Sequence, residues 1–197
     1  TDFTLNMATM DVVTGNGDLG TLTGANVLSI EITGASLFAG TGAELNAGRD
    51  GINTLSGEGS LTRDAIGFSV SGASFQLVSV TDAAGSSSYL GLSAGLSAAL
   101  LGIDALDVQV TGSVKLNQGD AGGERIDWTV ATGLANDPDF LLADLTISQA
   151  ISLQVKGTAS LDIAEGTVVA VVTDFTLNMA TMDVVTGNGD LGTLTGA

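Results

Sequence analysis

Apolar and polar residues alternate with a period of two along most of this chain. Phe3, Leu5 and Met7 alternate with Thr and Asn, and Phe175, Leu177 and Met179 do the same near the other end. Leu90, Leu92, Ala94, Leu96, Ala98 and Leu100 alternate with Gly, Ser and Ala. Such a rhythm places apolar side chains on one face of a strand. The stretch 90–101 also has the Ala and Leu content of a helix, but Gly91, Gly95 and the interleaved serines favour a strand. Four segments carry a longer pattern, in which alternation runs into a glycine and then resumes. They are residues 28–34, 66–72, 106–112 and 151–157, with apolar pairs Ile30/Ile32, Phe68/Val70, Val108/Val110 and Leu153/Val155. Their glycines, Gly34, Gly72, Gly112 and Gly157, are 38, 40 and 45 residues apart, and alternation resumes at Leu37, Phe75, Val114 and Ala159. The pattern reads as four degenerate sub-repeats of about 40 residues. These glycines turn or flatten the chain, and the apolar pairs form its structural core. Clusters of Gly, Asn, Asp and Ser at 15–18, 48–51, 57–59, 85–88 and 119–123 read as turns.

A far stronger repeat organises the whole chain. Residues 1–25 recur at 173–197 with all 25 positions identical, an offset of 172 residues. The expected organisation is one complete unit, 1–172, followed by the start of the next, 173–197, as in a window cut from a tandem array. No linker-like stretch separates the units, so each is expected to lean on its neighbour. Short alternating strands with small side chains suggest an all-β fold, a β-solenoid continuing into the next unit. An array of β-sandwich domains is the alternative. Two coils per sub-repeat would make eight coils, a rise of roughly 38 Å per unit at ~4.8 Å per strand step.

Composition narrows the chemistry. Five Lys and Arg face 22 Asp and Glu in 197 residues, a formal charge of −17. The second copy of the repeated segment contributes Asp174, Asp183 and Asp190, so one unit carries −17 + 3 = −14. With no His and no Cys, the chain supplies no Ser-His-Asp or Cys-His catalytic set, no His or Cys zinc site and no disulfide. A pI near 4.1 disfavours nucleic acid and anionic membrane surfaces as partners. No apolar run reaches the ~18 residues of a membrane helix, so no membrane insertion is expected.

The acids raise two possibilities. Gly15-Asn16-Gly17-Asp18 is similar to the Gly-Gly-x-Gly-x-Asp turn of calcium-binding β-rolls, but it occurs once per unit rather than as a tandem nonapeptide. Residues 119–127 match as loosely. Asp18, Asp120 and Asp127 are the calcium candidates, with Asp50, Asp137 and Asp139 as further carboxylates; ordinary turns explain the same residues. Catalytic carboxylate pairs such as Asp104/Asp107 or Asp137/Asp139 are inevitable among 22 acids, and no enzymatic activity is expected. Trp128, alternating with polar residues, is expected in the core, as are Met7 and Met10.

Three segments, Tyr89-Leu-Gly-Leu-Ser-Ala94, Leu101-Gly-Ile-Asp-Ala-Leu-Asp-Val-Gln-Val110 and Val114-Lys-Leu-Asn117, carry a resemblance. Together they resemble the long repeats of giant bacterial surface proteins, with Ala105 where Gly is usual. The resemblance implies a secreted or surface-displayed, often adhesin-like protein and supplies no catalytic residues. The expected function is structural: a repeat of an extracellular filament or surface-protein stalk. It would assemble end to end with copies of itself through β-strand pairing, needing no cofactor. A calcium-dependent adhesin module recognising a cell surface or glycan is the alternative.

Overall fold

The computed structural model describes residues 2–101, 103, 106–120, 122–134, 145–163, 166–180, 184–185 and 193–194. The strands are β1 (Asp2–Val13), β2 (Thr21–Thr41), β3 (Glu44–Leu45), β4 (Ile52–Asn53), β5 (Ile66–Thr81) and β6 (Ser88–Leu101). They continue with β7 (Leu106–Gln118), β8 (Thr132–Leu134), β9 (Ile151–Ile163), β10 (Val168–Ala180), β11 (Val184–Val185) and β12 (Thr193–Leu194). The protein is all-β, with no helix among the described residues. Residues 90–101 lie in β6, a strand as the alternation indicates.

One sheet dominates, in the order β10-β9-β7-β6-β5-β2-β1-β8, and every ladder in it is antiparallel. The long strands therefore form a meander. A solenoid coil is not seen among the described residues. Where connections are short, antiparallel pairing is forced, because parallel pairing needs a crossover of about a dozen residues or more. Residues 82–87 and 164–167 reach only far enough for hairpins. The first of these is tied by Asp82, whose carboxylate accepts from the Ser86 N–H at 2.7 Å and the Ser86 hydroxyl at 2.6 Å.

The strands are long: β2 has 21 residues, or roughly 70 Å at ~3.3 Å per residue. The sub-repeat glycines fall on one line across them. Gly112 of β7 pairs with Gly157 of β9, and Leu96 of β6 pairs with Gly112. The ladders flanking β5 break register at the same level, between Ile32 and Leu37 and between Ser71 and Ser74. Spacing decides which glycine bulges. Where alternation resumes three residues after the glycine, as at Gly34 and Gly72, φ is +67° and +61°, and the register shift keeps the apolar residues on one face. Where it resumes after two, as at Gly112 and Gly157, the ladder runs unbroken. β10 repeats the bulged solution at Asp174, with φ +59° and a register shift between Val172 and Phe175.

Apolar residues occupy opposite faces at the two ends of the sheet. Toward one end, Ala25, Val27, Val78, Val80 and Tyr89 are buried beneath a cap formed by residues from 124–131 and 145–150. One residue further along, the phase flips: Val27 is followed by Leu28, Val78 is preceded by Leu77, and Tyr89 is followed by Leu90. From there to the far end the apolar residues point away from the cap, because successive strand residues face opposite ways. The cap face then turns polar along a row that crosses Glu31, Gln76, Ser93, Lys115, Gln154 and Asn178. Glu31 accepts from Gln76 at 3.0 Å, and Asn178 accepts from Gln154 at 2.9 Å.

The crease makes a contrast that thermal or urea unfolding checks. Gly72→Ala forces a Cβ onto a left-handed φ and is expected to cost about 1–2 kcal/mol. Gly112→Ala, whose new Cβ would lie an ordinary 3.5 Å from the Lys156 carbonyl, is expected to stay within about 0.5 kcal/mol of the parent.

Candidate functional site

Two features stand out: a capped core at one end of the sheet and a matching pair of edges. The core holds Met10, Val12, Ile126, Trp128, Leu145 and Ile147 beside the strand residues already named. Asn117 is its polar centre and is 1 % exposed. Its side-chain carbonyl accepts from Trp128 Nε1 at 2.9 Å, and its amide donates to the Ile126 carbonyl at 2.9 Å and the Ser148 carbonyl at 3.2 Å. One residue thus ties both halves of the cap to β7. Trp128 N also donates to the Ile147 carbonyl at 2.9 Å, and Lys115 Nζ donates to the Thr146 carbonyl at 3.0 Å. Gly91 makes room for the cap: a Cβ there would lie 2.4 Å from Leu145 Cδ1 and 2.6 Å from Trp128 Cε2. Trp128 is a core residue, as its alternation indicates. Met10 is buried, but Met7 is 74 % exposed on the opposite face.

The Gly15-Asn16-Gly17-Asp18 turn docks on this cap. Buried Asn16 donates to the Arg125 carbonyl at 2.9 Å and to Glu124 Oε2 at 3.1 Å, and its own carbonyl accepts from the Asp18 N–H at 2.9 Å. Gly15 has φ +69°, and a Cβ on it would meet Val130 at 2.3 Å. Packing therefore accounts for Gly15 and Asn16. Asp120 accepts from the Gly122 N–H at 2.9 Å, and Asp127 accepts from the Thr129 N–H at 3.0 Å. Asp18, Asp120 and Asp127 each sit in a local turn, and no three acids converge as a metal-holding group among the described residues. Asp50 bonds Asn46 at 2.8 Å within the 46–51 turn. Asp107 lies on β7 opposite Asp162, whereas Asp104, Asp137 and Asp139 lie outside the described residues.

Tyr89 reaches from the core toward Asp120, with its hydroxyl 3.4 Å from Oδ2. Burial, and secondarily the negative charge of Asp120, push its phenol above the usual value of 10.

The structural residues picked out by alternation lie away from the capped core. Ile30, Ile32, Val70, Val108, Val110, Leu153 and Val155 all point from the uncapped face, here termed the open face. Phe68 occupies the matching register position, opposite Ala39 and Leu100. Unbroken rows cross the sheet, one passing Leu5, Ile30, Leu77, Leu92, Leu116, Leu153 and Met179.

The two outermost long strands carry the same sequence, with the three-residue β8 covering β1 only at Asp11–Val13. β1 pairs with β2 through Phe3–Ile32, Leu5–Ile30 and Met7–Leu28. The identical residues of β10 pair with β9 through Phe175–Gly157, Leu177–Val155 and Met179–Leu153. Phe3 is 65 % and Phe175 is 53 % exposed.

Sequence alone did not single out Asn117 or Gly91; a buried Asn in an alternating strand and a Gly facing an aromatic residue become visible only once the cap is in place. Comparison of the chain with protein-family models, with curated proteins and with solved structures gives no match.

Two expectations test the capped core. Gly91→Ala should lower stability by about 1–3 kcal/mol through overpacking, read as a shift in the urea midpoint with Trp128 fluorescence as reporter. The raised phenol of Tyr89 means the unfolded state loses its proton first, so its contribution is complete below pH ~10 and is lost as pH rises through the folded value. Unfolding titrations should show an alkaline loss of stability that Tyr89→Phe reduces.

Proposed function

We propose that this chain is a structural repeat whose units join through strand pairing into one uninterrupted sheet. The observation that carries this reading is the identity of the two edges. The segment that pairs with β9 as β10 is the segment that pairs with β2 as β1. In an array, one strand would make both ladders, bridging β9 of one unit to β2 of the next.

Strand lengths agree with this. In β2, residues 35–41 pair with β5 but extend past β1, whose first paired residue, Asp2, stands opposite Thr33. Val168–Val172 immediately precede the second copy of the segment within β10, so a preceding unit would bring these residues alongside that overhang. The joined strand would run from 168 to 185.

The register also opposes closure into a ring. The row that starts at Leu5 returns, after six strands, at Met179, the counterpart of Met7. Each unit thus advances two residues, ~7 Å along the strand against ~29 Å across it, a tilt of roughly 13°. Closed barrels need tilts of about 35–45°. An open ribbon is the better fit, with a heterologous contact that propagates. This is the rod expected from the sequence, built as a meander in place of a solenoid. Function then resides in length and surface, and the partner is another unit of the same kind. An extracellular or cell-surface filament or stalk suits the charge of −14 per unit, which keeps separate ribbons apart in solution.

A chain extended to two complete units tests the reading. Spin labels would be placed by cysteine at Lys156 and at the second unit's counterpart of Glu31, in a background with no native Cys. One sheet predicts a single narrow distance, with the two Cα atoms about 10 Å apart, or two strand spacings. A broad distribution would mean tethered, separate domains and would refute the proposal.

A further inference from the structure

The open face is an apolar field with nothing over it among the described residues. It spans six strands over about ten residues each, roughly 29 Å by 33 Å, or ~950 Å², with the shorter reach of β1 along one side. Exposed apolar patches on monomers are typically 300–600 Å², and a standard interface buries about 800 Å² per partner. In the ladders of its central strands the charged residues Glu31, Asp107, Lys115, Lys156 and Asp162 alternate onto the cap face.

We infer that the open face is covered by the open face of a second copy, the two related by a twofold axis parallel to the strands between β6 and β7. This goes beyond the edge-to-edge reading and uses a different surface. The residues themselves suggest the axis. It would set each position of β6 over its register partner in β7 of the other copy. The three central register partners match large to small, Leu96 with Gly112, Ala94 with Val114 and Ala98 with Val110, and are flanked by Leu92 with Leu116 and Leu100 with Val108. Gly112 lies in a trough of about 300 Å³, bordered by Phe75, Leu96, Val110 and Val155, and Leu96, 45 % exposed, is the side chain the axis places in the partner's trough. Interdigitation of large and small residues is how stacked sheets fill the ~10 Å between them. The twofold contact is closed, whereas edge pairing is open, so together they would make a double ribbon with its acids outside.

The 197-residue chain tests this directly. A spin label at Gln109→Cys, on the cap face and outside the contact, should give one narrow intermolecular distance, and sedimentation should show a concentration-dependent dimer. Leu96→Glu should abolish the distance and weaken dimerisation at least tenfold, with far-ultraviolet circular dichroism and Trp128 fluorescence unchanged. If Leu96→Glu unfolds the chain, Gly112→Leu fills the trough instead and should weaken dimerisation in the same way. A monomer at all accessible concentrations, a dimer indifferent to both substitutions, or a chain that partitions into phosphatidylcholine vesicles in preference to dimerising would each overturn the inference. None of these outcomes bears on the two-unit distance, so the stacking and edge proposals fail separately.

Discussion

The structure depends on a phase change within its strands. A strand presents alternate residues to opposite faces, so adjacent apolar residues such as Val27-Leu28 or Leu77-Val78 hand the apolar set from one face to the other. Strands β2, β5 and β6 do this at about the same level. The consequence is two apolar fields on opposite faces, at opposite ends of the sheet. The chain supplies a cover for one of them: the segment around Trp128 and Ile147, pinned by Asn117. The other field is as apolar and has no cover of its own within the described residues. Folding in this molecule therefore builds a capped core at one end and leaves the other apolar field uncovered among the described residues.

The second constraint is that backbone groups at a sheet edge seek partners. Most sheets protect their edges by charge, proline or brevity. Here β1 carries Phe3, Leu5 and Met7 along its edge, with no proline and only Asp2 and Asp11 charged. Such an edge is a liability in a solitary domain and a joint in a tandem one. In the proposed array the duplication of these residues near the opposite edge would resolve the conflict, because each unit would present the strand that the next one needs.

Much of this was legible in the sequence. Period-two alternation marked the long strands, the 25-residue identity marked the two outer long strands, and the glycines at 34, 72, 112 and 157 marked a shared structural level. Even the bulges were encoded, as a three-residue step from Gly34 to Leu37 against a two-residue step from Gly112 to Val114. What misled was the inference from even spacing to a coil. Spacing reports how often a strand recurs and leaves open whether neighbours run parallel or antiparallel; only short connections, such as the hairpin at 82–87, exclude a parallel crossover. The cap was illegible for a different reason. Trp128, Leu145 and Ile147 come from a stretch without regular periodicity, and their pairing with Gly91 and Asn117 is set by tertiary packing alone. The Gly-Asn-Gly-Asp turn, read for its similarity to a calcium loop, owes its residues to a left-handed φ and to Asn16 reaching the cap.

The central claim is that each unit adds its strands to a single sheet. Images or fibre diffraction of an array of several units measure this most directly. Six long strands per unit predict an axial repeat of about 29 Å, with strands lying across the axis at ~4.8 Å spacing. Globular beads at irregular separations, or strands running along the axis, would contradict it.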